Sequence, residues 1–192
     1  MSYPGGSMRG MTMPVMTAQR VQGRAADESL VTPPTPAISH RRASHRLETV
    51  LRKACPSRFT VLAVGLGVDC GDGRTYVPDL ILTRTEAIAG PLDESADDDG
   101  DAIPAADVLA VIEVMSLSNP LPGLVLRRHD YAAAGIPQFW IFDSRSHTLT
   151  VHTDPAAGPH ADGYLTTVTV PADDVFITDL PFPVTISPGL IR

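Results

Sequence analysis

Glu113 stands alone in an apolar run, Ala110-Val-Ile-Glu-Val-Met115. A carboxylate surrounded by hydrocarbon is costly, so it has to be neutralised, paired with a cation or bound to a metal. Asp79 has a comparable setting, because Pro78 places it at the head of Leu80-Ile-Leu82. Two adjacent strands that each end in an inward carboxylate would make a hard, oxygen-rich site. Mg²⁺ favours such a site, keeping several waters and taking an oxygen from a substrate phosphate. The same spacing also serves a purely structural arrangement, in which Asp79 caps a turn and Glu113 pairs with an arginine of the following helix. The two residues by themselves leave both arrangements open.

Other polar residues carry weaker signals. His40 and His45 are five apart, which does not stack two ligands on one helical face as a spacing of four would. His152, Asp154 and His160 are zinc-ligand types, but they fall in a Pro/Gly-rich stretch that reads as a solvated loop. Ser116 and Ser118 lack the glycines of a nucleophile elbow. Arg41, Arg42, Arg46, Arg127 and Arg128 are candidates for phosphate contact, with a solvated helix face as the default. Phe139 and Trp140 sit on an apolar strand and are expected in the core.

The elements that must hold these residues can be read from periodicity. Ala43, Leu47, Val50, Leu51 and Ala54 recur at helical spacing, with Ser39 as the expected N-cap and Pro56 as the stop. Strands are expected over 59–64 and 76–83, separated by a glycine-rich turn, Gly65–Gly73. Gly65, Gly67 and Gly71 do not make a dinucleotide-binding loop, because the segment downstream of them reads as strand and not helix. Val108–Met115 is continuously apolar, as a central strand covered on both faces would be. Leu124–Ala134 reads as a helix closed by Gly135, with Pro137 just beyond. Phe139–Asp143 and Thr148–Thr153 form an expected hairpin, and Leu165–Val170 and Val184–Ser187 further strands. The expected class is α/β: a mixed sheet flanked by helices.

Of 192 residues, 43% are apolar, enough to fill the core of a single domain. That domain is expected over residues 28–192, after a poorly ordered lead-in at 1–27. The formal charge is −7, but six acids fall between Asp93 and Asp101, inside an expected acidic loop over 90–107. The rest of the chain is close to neutral, and no basic patch is dense enough to identify a nucleic-acid binder alone. Cys55 and Cys70 form no CxxC pair and need no disulfide. No run approaches the roughly 18–20 apolar residues of a membrane-spanning helix. Met1–Met16 lacks the apolar core of a secretory signal, so a cytoplasmic protein without a membrane partner is expected.

Three blocks occur in order: Tyr76-Val-Pro-Asp-Leu80, Val111-Ile-Glu-Val-Met-Ser-Leu-Ser118 and Tyr131-Ala-Ala-Ala-Gly-Ile-Pro-Gln-Phe-Trp-Ile-Phe-Asp143. Together they resemble the Uma-type family of putative restriction endonucleases, a branch of the PD-(D/E)XK nuclease superfamily. Pro33, Pro34, Pro36 and His40, leading into the arginine-rich helix, resemble the same family's opening segment. The resemblance covers roughly residues 28–155. It implies a restriction-endonuclease-like core that binds Mg²⁺ (or Mn²⁺) and hydrolyses phosphodiester bonds in DNA.

Position by position, it makes Asp79 and Glu113 the metal ligands. The family's lysine, four residues before the tyrosine matched by Tyr131, is Arg127 here. An aspartate four residues earlier is Gly123, and the proline between the two serines is Leu117. Lysine can lose its proton when desolvated, whereas arginine stays charged. Arg127 would therefore orient water or steady the phosphate and not act as a base. His40, Tyr131 and Glu28, the last in Asp27-Glu28-Ser29-Leu30, are the accessory candidates. The expected function is a Mg²⁺-dependent DNA endonuclease, which would suit a homodimer if it cuts both strands. The alternative is a catalytically impaired nuclease-fold module that binds nucleic acid or a protein partner.

Overall fold

The computed structural model describes residues 38–63, 65–88, 102–115, 121–156 and 163–191. Helix α1 (Ile38–Ala54) leads into β1 (Phe59–Ala63), β2 (Gly67–Asp69), β3 (Thr75–Tyr76) and β4 (Leu80–Arg84). Then come β5 (Ala102–Pro104), β6 (Val108–Met115), helix α2 (Leu121–Ala133), β7 (Gln138–Asp143) and β8 (Thr148–Pro155). The chain ends with β9 (Tyr164–Val170), β10 (Phe176–Thr178) and β11 (Val184–Ile186).

Six strands form the main sheet in the order β1-β4-β6-β7-β8-β9. All neighbours are antiparallel except β6 and β7, which run parallel. A parallel pair needs a crossover, and α2 supplies it. The continuous apolar character of β6 is explained by its interior place, because both faces of the sheet are covered. On one face Leu80, Leu82, Ala110, Ile112 and Val114 pack with Ala43, Leu47 and Leu51 of α1. On the other, Ile81, Val111 and Phe139 pack with Leu124 and Tyr131 of α2 and with Val68 and Ile103. Leu47 and Leu51 are fully enclosed, each worth about 2 kcal/mol of burial.

Several expected boundaries move. The strand expected over 76–83 divides at Pro78, which has no N–H to give a ladder. Tyr76 pairs with Val68 in a small sheet, and the main-sheet strand starts only at Leu80. The expected glycine-rich turn contains β2, because Val68 is drawn into the core. The acidic loop expected over 90–107 does not extend through 102–107. Ile103 and Ala105 are buried, so 102–104 pairs with β2 and 105–107 turns as a short 3₁₀ helix; residues 90–101 lie outside the described ones.

Ser39 lies inside the first turn of α1 and does not cap it. Helix α2 starts at Leu121, three residues earlier than expected, since proline is tolerated in a first helical turn. Gly135 does close α2 with φ 79°, its N–H bonding Ala132 O and that of Ile136 bonding Tyr131 O. No described helix is long and apolar enough to cross a membrane.

Candidate active site

The β4–β6 ladder pairs Leu80 with Ile112, so one further step sets Asp79 across from Glu113. Asp79 lies just outside β4, and its side chain replaces the missing strand bond: Oδ2 accepts the Val114 N–H at 2.7 Å. Oδ1 lies 3.1 Å from Nε2 of His40, delivered by the first turn of α1. That contact raises the His40 pKa by stabilising the imidazolium, against the opposing effect of burial.

Glu113 is 2% exposed and alternates with Ile112 and Val114, so it faces α2. Arg127 and Tyr131 are one helical turn apart on α2 and both reach it. Arg127 Nη1 lies 2.5 Å from Oε1, and the Tyr131 hydroxyl lies 3.4 Å from the same oxygen. Burial pushes the Glu113 pKa up to about 7; Arg127 opposes that, and the negative charge of Asp79 adds to it. Asp79, Glu113, His40 and Arg127 therefore belong to one electrostatic cluster. The purely structural arrangement that the spacing leaves open is realised too, since Asp79 caps a strand end and Glu113 has its arginine.

A second layer, centred on Asp130, is not apparent from the sequence. Asp130 is 2% exposed and is held by Arg74 Nη1 at 2.7 Å, by the Tyr76 hydroxyl and by His129. The Tyr76 ring in turn lies under the Arg127 guanidinium, 5.5 Å from its centroid, and meets Tyr131 edge-on. The available signal is the i, i+2 spacing of Arg74 and Tyr76, which puts both on one side of an extended segment.

His152 and Asp154 are not in a loop: His152 falls within the strand expected over 148–153, and pairing with β9 carries β8 past Asp154 to Pro155. His152 is buried, stacked on Phe139 and Tyr164, and bonds Thr167, so its place is in the core. Phe139 and Trp140 are core residues as expected. Arg46 reaches the Leu190 carbonyl and is no phosphate ligand in this arrangement. His45 is largely exposed, near Glu48. Both cysteines are free thiols. Glu28, Ser116, Leu117, Ser118, His160 and the lead-in at 1–27 lie outside the described residues.

No cluster of three or more His, Cys, Asp or Glu side chains with ligand geometry occurs among the described residues. The donor set is instead a pair of carboxylates, one of them buried and short of positive charge even beside Arg127. That chemistry fits a divalent cation that draws its remaining oxygens from water and substrate.

No curated protein matches the sequence. The fold is restriction-endonuclease-like: the chain superposes on the crystal structure of a putative nuclease belonging to DUF820 from Anabaena variabilis ATCC 29413 with a TM-score of 0.60. The two are 15% identical, and the match covers 83% of each chain. At the level of sequence, the profile described as Uma2, putative restriction endonuclease, matches residues 13–189, and the chain belongs to that family.

Proposed function

We propose that this protein is a divalent-metal-dependent nuclease that hydrolyses phosphodiester bonds in DNA, with Asp79 and Glu113 as the metal ligands. The observation that carries this reading is the pairing of Asp79 with a buried Glu113 whose pKa is raised to about 7. A fold has little use for a carboxylate that its own arginine does not fully compensate, whereas a cation site does. Mg²⁺ or Mn²⁺ bound there would supply Lewis acidity to phosphate chemistry.

The chain's own groups have definable tasks. His40 and the Val114 N–H fix both oxygens of Asp79. Tyr131 and Arg127 orient Glu113. Arg127 keeps its charge at any working pH and has five N–H donors, suited to phosphate oxygens and not to taking a proton from water. Plasmid nicking with Mg²⁺ or Mn²⁺, run beside Asp79→Ala and Glu113→Ala, tests the reading. Loss of nicking in both variants is expected; equal activity in all three proteins would sink it.

A specific observation favours a second reading, a nuclease fold with impaired catalysis that binds DNA. The 2.5 Å contact with Arg127 is made to Glu113 itself, so the arginine competes with a cation for the carboxylate.

A further inference from the structure

Beside Asp79 a cleft of about 520 Å³ opens between α1 and the strands β1 and β4. One wall comes from α1, where His40, Ser44 and Glu48 recur every fourth residue and Arg41 and His45 form the adjoining row. Ala63 and Leu80 supply the apolar part, and Asp79 closes the cleft toward the candidate active site. Helical periodicity thus splits α1 into a stripe that fills the core, Ala43, Leu47 and Leu51, and a polar stripe beside it that the core does not use. Ser44 Oγ and His40 Nδ1 are both buried with no hydrogen-bond partner among the described residues. Neither atom has surface open to the cleft, so the groups there that can meet a ligand are the exposed Arg41 and His45 and the partly buried Glu48.

We propose that this cleft takes one unpaired nucleotide, adjacent to the phosphate presented to Asp79 and Glu113. The preferred substrate is then a single strand, or a duplex from which a nucleotide has been extruded. This inference rests on the nuclease reading for the identity of the ligand. Three observations shape it. The volume is that of a small-molecule pocket and excludes a duplex. The lining mixes the exposed donors Arg41 and His45 with an acceptor, Glu48, which Arg52 holds at 2.7 Å. A carboxylate repels phosphate but accepts N–H from a base edge, so the base and not the backbone faces Glu48. Finally, outside its acidic stretch the sequence is close to neutral and has no dense basic run to follow a duplex backbone.

The test uses the full chain in EDTA, a short fluorescein-labelled single-stranded DNA and a labelled hairpin duplex of the same composition. Fluorescence anisotropy should show the single strand bound at least about tenfold more tightly than the hairpin. Ser44→Leu, which fills the cleft, and Arg41→Ala, at an exposed position that does not threaten folding, should each weaken single-strand binding about tenfold. Equal or tighter hairpin binding, no binding of either probe, or unchanged binding in both variants would overturn the proposal.

Calorimetry with Mn²⁺ on the same proteins separates this proposal from the nuclease reading. Variant-sensitive single-strand binding without Mn²⁺ binding keeps the cleft and removes the nuclease. Mn²⁺ binding with variant-insensitive strand binding does the reverse.

Discussion

Arg127 Nη1 lies 2.5 Å from Glu113 Oε1, yet burial still pushes the carboxyl pKa up to about 7. The two partners shift for different reasons. Glu113 is enclosed, so desolvation outweighs the arginine; Arg127 is partly exposed, and there the bond and charge of the carboxylate together outweigh desolvation and its pKa rises. The pair is therefore poised between ionised and neutral carboxyl in the physiological range.

That poise makes stability depend on pH in a defined direction. The Glu113 pKa is about 7 in the folded chain against 4.5 ordinarily. Between those values the folded state holds a proton that the unfolded state has lost, so the contribution is present below pH 4.5 and disappears as pH rises through 7. Relative to Glu113→Gln, the wild type should lose about 3 kcal/mol across the window. Urea unfolding in EDTA at several pH values checks this, and parallel stability profiles for the two proteins would refute it.

Cation binding should be coupled to the same proton. Below pH 7 a cation at Glu113 must displace it, so Mn²⁺ binding should release the Glu113 proton, together with that of His40 where the cation displaces it from Asp79, and should strengthen as pH rises. Above pH 8 both effects should fade. Calorimetry in two buffers of different ionisation enthalpy measures the release directly. A proton count near zero at pH 6 would mean that Glu113 is not a ligand.

Much of this site is legible in the residues because Glu113 breaks an apolar run and Pro78 fixes where Asp79 sits. The central strand 108–115 can be read for the same reason: a strand buried on both faces leaves no ambiguity of pattern. Gly135 and the hairpin after it are local signals, and the structure contains both. What the residues do not announce depends on contacts between distant segments. Nothing near Gly67 indicates that β5, more than thirty residues on, will pair with it. Asp130 likewise reads as a polar helix residue until Arg74 and Tyr76, over fifty residues away, are seen to hold it. Around His152 the local Pro and Gly suggest a loop, whereas ring stacking on Phe139 and Tyr164 places it in the core.

Gly123 is a stability defect that can be corrected. It is the third residue of α2, and a Cβ there would meet nothing within 4 Å. Gly123→Asp removes backbone freedom from the unfolded chain and places a negative charge at the helix N-terminus. Together these should stabilise by about 1 kcal/mol. A thermal melt checks this, and an unchanged or lower midpoint would show that the position is constrained in some other way.

Arg127→Lys separates the two functional readings. Lysine keeps the charge beside Glu113 but can give up its proton when desolvated, which arginine cannot. If the natural protein is catalytically impaired, nicking should rise at least about tenfold in the variant. If Arg127 acts by orienting phosphate, the variant should lose activity instead, because the planar donor fork is gone. A rise observed only when Gly123→Asp is added would assign the impairment to both positions.

The Asp130 network should matter at a distance from the chemistry. Asp130 is buried, and although burial raises its pKa, the bonds from Tyr76 and His129 and the charge of Arg74 bring it below 3.8. Its contribution to stability is therefore present above that value and lost as pH falls through the folded pKa. Asp130→Ala leaves the Tyr76 hydroxyl without its acceptor and Arg74 with Asp72 alone, at 3.2 Å, and should cost about 2–3 kcal/mol at neutral pH, with the gap to wild type closing below about pH 4. Asp130→Asn keeps an acceptor for Tyr76 and should cost less. Because the Tyr76 ring lies 5.5 Å beneath Arg127, both variants should also loosen the arginine over Glu113. The expected signature is a lower nicking rate with Mn²⁺ affinity retained, since neither metal ligand is touched. Retained nicking in a folded, destabilised Asp130→Ala would confine the network to a structural role.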